Sequence, residues 1–155
     1  MVKLLRHPAT NGLFISLFSA FYSLIFFITS GHMEFQRILY YTSDTQKQKP
    51  FWGDWGAFLY AGHQKYIGFA IIILTLLIVA LLIKRRRPYD EYQVKVLASC
   101  FMTAGFVTIC AVAFLFFYIL TEPAGTVEKI TLFTVIHWVS VLIADLVFVL
   151  YCHRE

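Results

Sequence analysis

The sequence predicts an all-α, polytopic membrane protein built as an antiparallel four-helix transmembrane bundle. Three observations predict this class. Of the 155 residues, 59% are hydrophobic and only 14% are charged, whereas soluble domains carry about 25% charged residues. The apolar residues are grouped into four long, continuous runs. Short links join the second run to the third and the third to the fourth, and short links force neighbouring helices to run antiparallel.

The four apolar runs cover about residues 13–30, 58–83, 96–120 and 130–152. A helix of about 20 residues crosses a hydrocarbon core of roughly 30 Å. The runs do not alternate between polar and apolar residues, which excludes a membrane β-barrel. We therefore expect one four-span membrane domain over residues 1–155. The composition also excludes a disordered chain and a nucleic-acid-binding domain.

The basic residues predict the orientation in the membrane. Eight of the 13 lysines and arginines fall on one side of the predicted spans. They are Lys3, Arg6, Lys84, Arg85, Arg86, Arg87, Lys95 and Arg154. Because short loops rich in Lys and Arg stay cytoplasmic, both termini are expected in the cytoplasm. Short loops and the lack of a visible organelle sorting signal favour a bacterial cytoplasmic membrane, with the lipid bilayer as the first partner.

Two runs carry stripes of small residues. In the first run these are Ser16, Ser19, Ala20 and Ser23, and in the third run Ser99, Thr103, Val107, Cys110 and Ala111. Small residues allow the backbones of membrane helices to approach closely. Both stripes are expected to face the interior of the bundle. Helix faces of this kind also allow association with other membrane subunits or with a second copy.

Asp145, in the fourth run, is the one acidic residue placed inside a predicted span. A helix rotates by about 100° per residue, which puts Asp145 on the same face as His137. An Asp at the centre of a membrane helix costs about 2.5–3.5 kcal/mol. We therefore expect it to face the bundle, with hydroxyls such as those of Ser16 or Ser19, or a water cavity, as partners. Asp145 either stabilises helix packing in its neutral form or couples transport to a proton or an ion.

Three histidines, His32, His63 and His137, map to the outer half of the predicted bundle. Imidazole is the commonest metal-ligating side chain, so the three could converge on a zinc or copper ion. Alternatively, His63 and His137 could be the axial ligands of a haem b between the second and fourth helices.

This layout resembles the four-helix membrane cytochromes of the formate dehydrogenase type. The resemblance implies an outer haem held by His63 and His137, and an inner haem held by His7 and His153. However, His153 lies roughly 160° around the helix from His137, which disfavours the inner pair.

Three classes of function remain open from the sequence. The first is a non-catalytic accessory, assembly or regulatory module of the membrane. The second is a haem- or metal-binding redox or sensor protein that uses the outer histidines. The third is a small ion- or proton-coupled transporter that uses Asp145. No nucleotide-binding, serine hydrolase or zinc protease motif occurs, and no C-x-x-C pair indicates thiol redox chemistry.

Overall fold

The structure is a computed structural model that describes residues 6–43, 50–84 and 88–154, without the side chains of 40–43, 50, 153 and 154. The described residues form helices only. In chain order they are α1 (Pro8–Gly31), α2 (Met33–Ser43), α3 (Pro50–Tyr60), α4 (Gln64–Lys84), α5 (Glu91–Thr121) and α6 (Thr126–Arg154). The predicted orientation depends in part on Lys3 and residues 85–87, which lie outside the described residues. The side chain of His153 also lies outside them.

Four of these helices, α1, α4, α5 and α6, are long and apolar enough to cross a membrane. The predicted all-α bundle with four spans is therefore confirmed. The second span begins at Gln64 rather than near residue 58, because the chain turns between α3 and α4. Gly62 takes a left-handed conformation there, with φ at 72°, which glycine adopts without steric cost.

The four long helices pack as two pairs. Helix α1 lies along α4, α5 lies along α6, and the contact between α4 and α6 joins the pairs. Apolar side chains such as Ile15, Ile78 and Leu142 are fully buried between them. Helices α1 and α4 approach closely at Gly68, where a Cβ would lie 3.2 Å from the Phe27 ring. Helix α5, in contrast, buries only Gln93, Leu97 and Ala104.

The two short helices, α2 and α3, contact each other and α6 at one end of the bundle. The indole nitrogen of Trp55 donates a hydrogen bond to the Glu128 carbonyl oxygen at 2.9 Å. The Ser30 hydroxyl donates to the Gly62 carbonyl oxygen at 2.8 Å. These bonds tie the turn before α4 to α1, and α3 to the first turn of α6.

The opposite end of the bundle is closed by the segment before α5. The backbone N–H of Tyr89 donates to the Arg6 carbonyl oxygen at 2.7 Å, and Arg6 forms an ion pair with Glu91 at 2.9 Å. Asp90 caps α5, since its carboxylate accepts the backbone N–H of Gln93 at 2.7 Å. A capping box of this type satisfies backbone donors that a helix start leaves unpaired.

Candidate functional site

The carboxyl group of Asp145 lies between α6 and α1 and is fully buried. Its Oδ1 accepts a hydrogen bond from the Asn11 amide nitrogen at 2.6 Å. Its Oδ2 has no hydrogen-bond partner among the described residues. The expectation that Asp145 faces the bundle is confirmed, but its partner is an amide in the first turns of α1 and not the hydroxyl of Ser16 or Ser19.

A second polar pair joins the same two helices about two turns away. The Tyr22 hydroxyl lies 2.7 Å from Nδ1 of His137, and the Tyr22 ring stacks on Trp138 with a centroid distance of 4.7 Å and an interplanar angle of 7°. The other imidazole nitrogen, Nε2, hydrogen-bonds to no described residue. His137 is therefore held in place from one side and leaves one ring nitrogen unused.

A third set of bonds connects α1, α4 and α6. The indole nitrogen of Trp138 donates to the Ser19 hydroxyl at 3.0 Å, and the Thr75 hydroxyl lies 2.7 Å from the same oxygen. Ser23, one turn further along α1, donates to the Gly68 carbonyl oxygen at 3.2 Å. Interhelical bonds of this kind stabilise membrane bundles by about 0.6 kcal/mol each, and at most about 1.7 kcal/mol.

An apolar groove of about 650 Å³ runs along the bundle between α1 and α5, and α6 forms its floor. It exists because α1 and α5 barely touch. Its lining consists of Thr10, Asn11, Phe14, Phe18, Tyr22, Phe101, Gly105, Thr108, Ile109, His137, Trp138 and Val141. From Asn11 to Tyr22 the groove follows α1 for about 16 Å. We call it the α1/α5 groove.

The three histidines predicted to bind a metal are not brought together. His32 is exposed at the end of α1, and His63 is exposed in the turn before α4, where its ring contacts those of Phe58 and Tyr66. The turn of His63 bonds to Ser30, which lies about 12 Å along α1 from Tyr22, the partner of His137. No group of three His, Cys, Asp or Glu that could hold a metal ion occurs in the described parts of the chain.

The haem and metal assignments of His32, His63 and His137 thus stay predictions. Each nitrogen ligand of a zinc ion lies about 2.0–2.1 Å from the metal. The distance of about 12 Å along α1 between the partners of these two sites, Ser30 for the His63 turn and Tyr22 for His137, is several times larger. In the structure His137 pairs with Tyr22.

The two small-residue stripes have different outcomes. In α1, Ser19 and Ser23 are buried, as expected, whereas Ser16 is half-buried and Ala20 is exposed. In α5, Ser99, Thr103, Val107 and Cys110 are exposed, so the expectation that this stripe faces the interior is wrong. The cause is the pairwise packing of the helices, because α5 packs along α6, whereas α1 and α3 touch α5 only locally, at Phe101 and Tyr118. Together with Ser140, Ile143, Ala144 and Val147 of α6, the stripe lines a shallow depression of about 390 Å³.

Sequence reasoning missed Asn11 and Tyr22, the two α1 residues that hold Asp145 and His137. A polar residue at the edge of an apolar run has the usual appearance of an interfacial group, and a lone Tyr is common in membrane helices. One usable signal was present. Asp145 and His137 lie eight residues apart on one face of the fourth run. Asn11 and Tyr22 lie eleven residues apart in the first run, in the reverse order along the chain, as expected for an antiparallel neighbour. These spacings match partners on one neighbouring antiparallel helix, but they do not by themselves identify it.

No protein-family model matches the chain, and neither a curated protein nor a solved structure is significantly similar to it.

Proposed function

We propose that the protein is a non-catalytic integral membrane module that works by association of membrane helices, with a second copy of the chain as its partner. The observation that carries this proposal is the exposed small-residue face of α5 and α6. We define this face by Ser99, Thr103, Val107, Ser140 and Ala144, all of which are exposed or half-buried.

The composition of this face supports a protein partner rather than lipid. Elsewhere α5 exposes large side chains such as Met102, Phe106 and Phe116, as expected for a surface that meets acyl chains. Small residues at a helix surface let a second backbone approach closely, and they are enriched where membrane helices pack. The Thr103 hydroxyl is already satisfied, because it donates to the Ser99 carbonyl oxygen at 2.9 Å.

A second copy suits this face because the face combines a shallow depression with exposed side chains. Ile143 and Val147, which are 51% and 55% exposed, line the α6 side of this depression. In a twofold dimer the same patch meets itself, so that these side chains of one copy can pack against the depression of the other. The patch carries no charged residue, and two copies meet there without electrostatic repulsion.

The polar groups inside the spans support a structural role for Asp145. Its bond to Asn11, the Tyr22–His137 pair and the bond from Trp138 to Ser19 each join two helices. The alternative of an ion- or proton-coupled transporter requires a change of state at Asp145. Unchanged proton-coupled transport in Asp145→Asn would exclude that alternative.

Light scattering coupled to size-exclusion chromatography in mild detergent tests the proposal. We expect a dimer for the wild type and a shift to monomer for Thr103→Leu, because the larger side chain fills the depression. Ala113→Leu is the matched control, since Ala113 is exposed on α5 and lines neither groove. A monomeric wild type at every concentration, or an unchanged dimer in Thr103→Leu, contradicts the proposal.

We propose further that both termini face the cytoplasm of a bacterial cell. The positions of the basic residues support this orientation. Labelling of single cysteines with a membrane-impermeant maleimide, at position 7 and at position 54, tests it in intact cells. Labelling at position 54 alone is expected, and labelling at position 7 alone would reverse the orientation.

A further inference from the structure

We propose that the α1/α5 groove binds a quinone-class ligand, that is, a neutral, membrane-dissolved molecule with a flat carbonyl-bearing ring and an apolar tail. This inference is independent of the proposed dimer, because the groove and the small-residue face lie on different sides of α5.

The groove is accessible from the lipid and has the size of a ligand site. Its lining residues Phe14, Phe18 and Ile109 are 44%, 40% and 70% exposed. Its volume of about 650 Å³ lies within the roughly 300–1,000 Å³ of small-molecule pockets, which are mostly apolar with a few placed polar groups.

Among the polar residues that line the groove, His137 is the one with a ring nitrogen left unbonded by the described residues. Nδ1 is occupied by Tyr22, whereas Nε2 is neither buried nor bonded to a described residue. When the Tyr22 hydroxyl donates to Nδ1, the neutral imidazole carries its proton on Nε2. That N–H is then a donor without an acceptor among the described residues, and the carbonyl oxygen of a ligand in the groove can accept from it.

The depth of His137 determines the kind of molecule that can reach it. His137 lies seven residues, or about 10 Å, from Ile130, where the apolar run of α6 begins, and so within a hydrocarbon core of roughly 30 Å. A charged lipid headgroup is too costly at this depth. A neutral ring with carbonyl groups can reach it while its tail stays among acyl chains.

The walls of the groove offer aromatic rings to a flat ligand. Trp138 is 3% exposed and is covered by Tyr22, whereas the rings of Phe14 and Phe18, which line the groove, are 44% and 40% exposed. Aromatic rings prefer offset-stacked or edge-to-face partners at centroid distances of about 4.5–7 Å. A quinone ring can therefore stack in the groove while one of its carbonyl groups accepts from Nε2 of His137.

Gly105 provides the sharpest variant for a test. It lines the groove, and a Cβ added there meets no atom within 4 Å. A larger side chain can therefore begin at this position without a clash at Cβ, and we expect Gly105→Leu to narrow the groove. The matched control is Gly31→Leu, because Gly31 has the same free space at the end of α1 and does not line the groove.

The experiment is a titration of the purified protein in mild detergent with decylubiquinone, followed by quenching of tryptophan fluorescence. We expect saturable quenching in the wild type and in Gly31→Leu, and loss of the saturable component in Gly105→Leu. His137→Phe keeps a ring in place but removes the donor, so we expect binding weakened about threefold to tenfold, as for the loss of one hydrogen bond.

Equal quenching curves for Gly105→Leu and Gly31→Leu would overturn the proposal. A phosphatidylcholine with brominated acyl chains tests for the competing occupant, a lipid chain. If this lipid quenches saturably and decylubiquinone does not displace it, the groove holds a lipid chain and the proposal is wrong. Displacement of the brominated lipid by decylubiquinone supports the proposal.

Discussion

Removal of the Asn11 side chain is the most informative perturbation of the bundle. Asp145 is fully buried, and the 2.6 Å bond from Asn11 to its Oδ1 is its single hydrogen bond with a described residue, since Oδ2 has none. In Asn11→Ala, Oδ1 loses this donor, and neither carboxyl oxygen then has a hydrogen bond with a described residue. A buried polar group left unsatisfied costs about 1–3 kcal/mol. We therefore expect Asn11→Ala to lower the free energy of unfolding by about 1–3 kcal/mol.

The coupling between the two residues separates this bond from general packing. In a double-mutant cycle with Asn11→Ala and Asp145→Ala, we expect a coupling energy of about 0.6–1.7 kcal/mol, the range measured for interhelical bonds in a membrane protein. The assay is reversible unfolding in mixed detergent micelles, followed by circular dichroism. Ser16→Ala is the control, because Ser16 is half-buried in α1 and was the expected partner of Asp145. An unchanged free energy in Asn11→Ala, or an equal loss in Ser16→Ala, would refute the reasoning.

Three further variants test other parts of the fold by the same unfolding assay. Gly62→Ala should cost about 1–3 kcal/mol, because an L side chain is strained at φ 72° and its Cβ would lie 2.5 Å from the Ser30 carbonyl oxygen. Asp90→Ala removes the cap of α5 and should cost about 0.5–2 kcal/mol. Tyr22→Phe keeps the stacked ring but removes the hydroxyl bonded to His137, which should cost about 0.5–1.5 kcal/mol.

Each of these variants has a control. For Gly62 it is a second glycine, and for Asp90 and Tyr22 it is a residue of the helix concerned. Gly31→Ala adds a Cβ in open space and should leave the unfolding free energy unchanged. Lys95→Ala alters an exposed residue of α5 and preserves the cap. Phe21→Leu alters an exposed ring of α1 beside Tyr22. A loss in any control as large as that in its variant would contradict the corresponding argument.

The fold class was predictable because a membrane helix is surrounded by uniformly apolar lipid. Four long apolar runs have no other stable conformation in lipid, and α1, α4, α5 and α6 follow from them. The pairing of the helices was not predictable in the same way. Lipid and protein surfaces are equally apolar, so hydropathy does not indicate which face of α5 meets α6 and which meets lipid.

The candidate site was predictable only in part. Asp145 and His137 were found from their cost in a membrane and from their spacing on one helix face. Their partners Asn11 and Tyr22 depend on the rotation and depth of α1 against α6, which a single sequence does not determine. The α1/α5 groove exists because two helices fail to meet, and no residue pattern in either helix indicates such a gap.

Oxidative cross-linking of the native Cys110 in isolated membranes tests the central claim most directly. Cys110 is exposed on α5 and lies on the same side of the helix as Thr103, about 20° away around its axis. Cys100 lines the depression within the same face. In a twofold dimer through the small-residue face, where the same patch meets itself, we expect cross-links through these two cysteines. We predict a disulfide-linked dimer in the wild type, and none in the double variant Cys100→Ser, Cys110→Ser. A wild-type chain that stays monomeric under full oxidation, or a disulfide-linked dimer that persists in the double variant, would contradict the account.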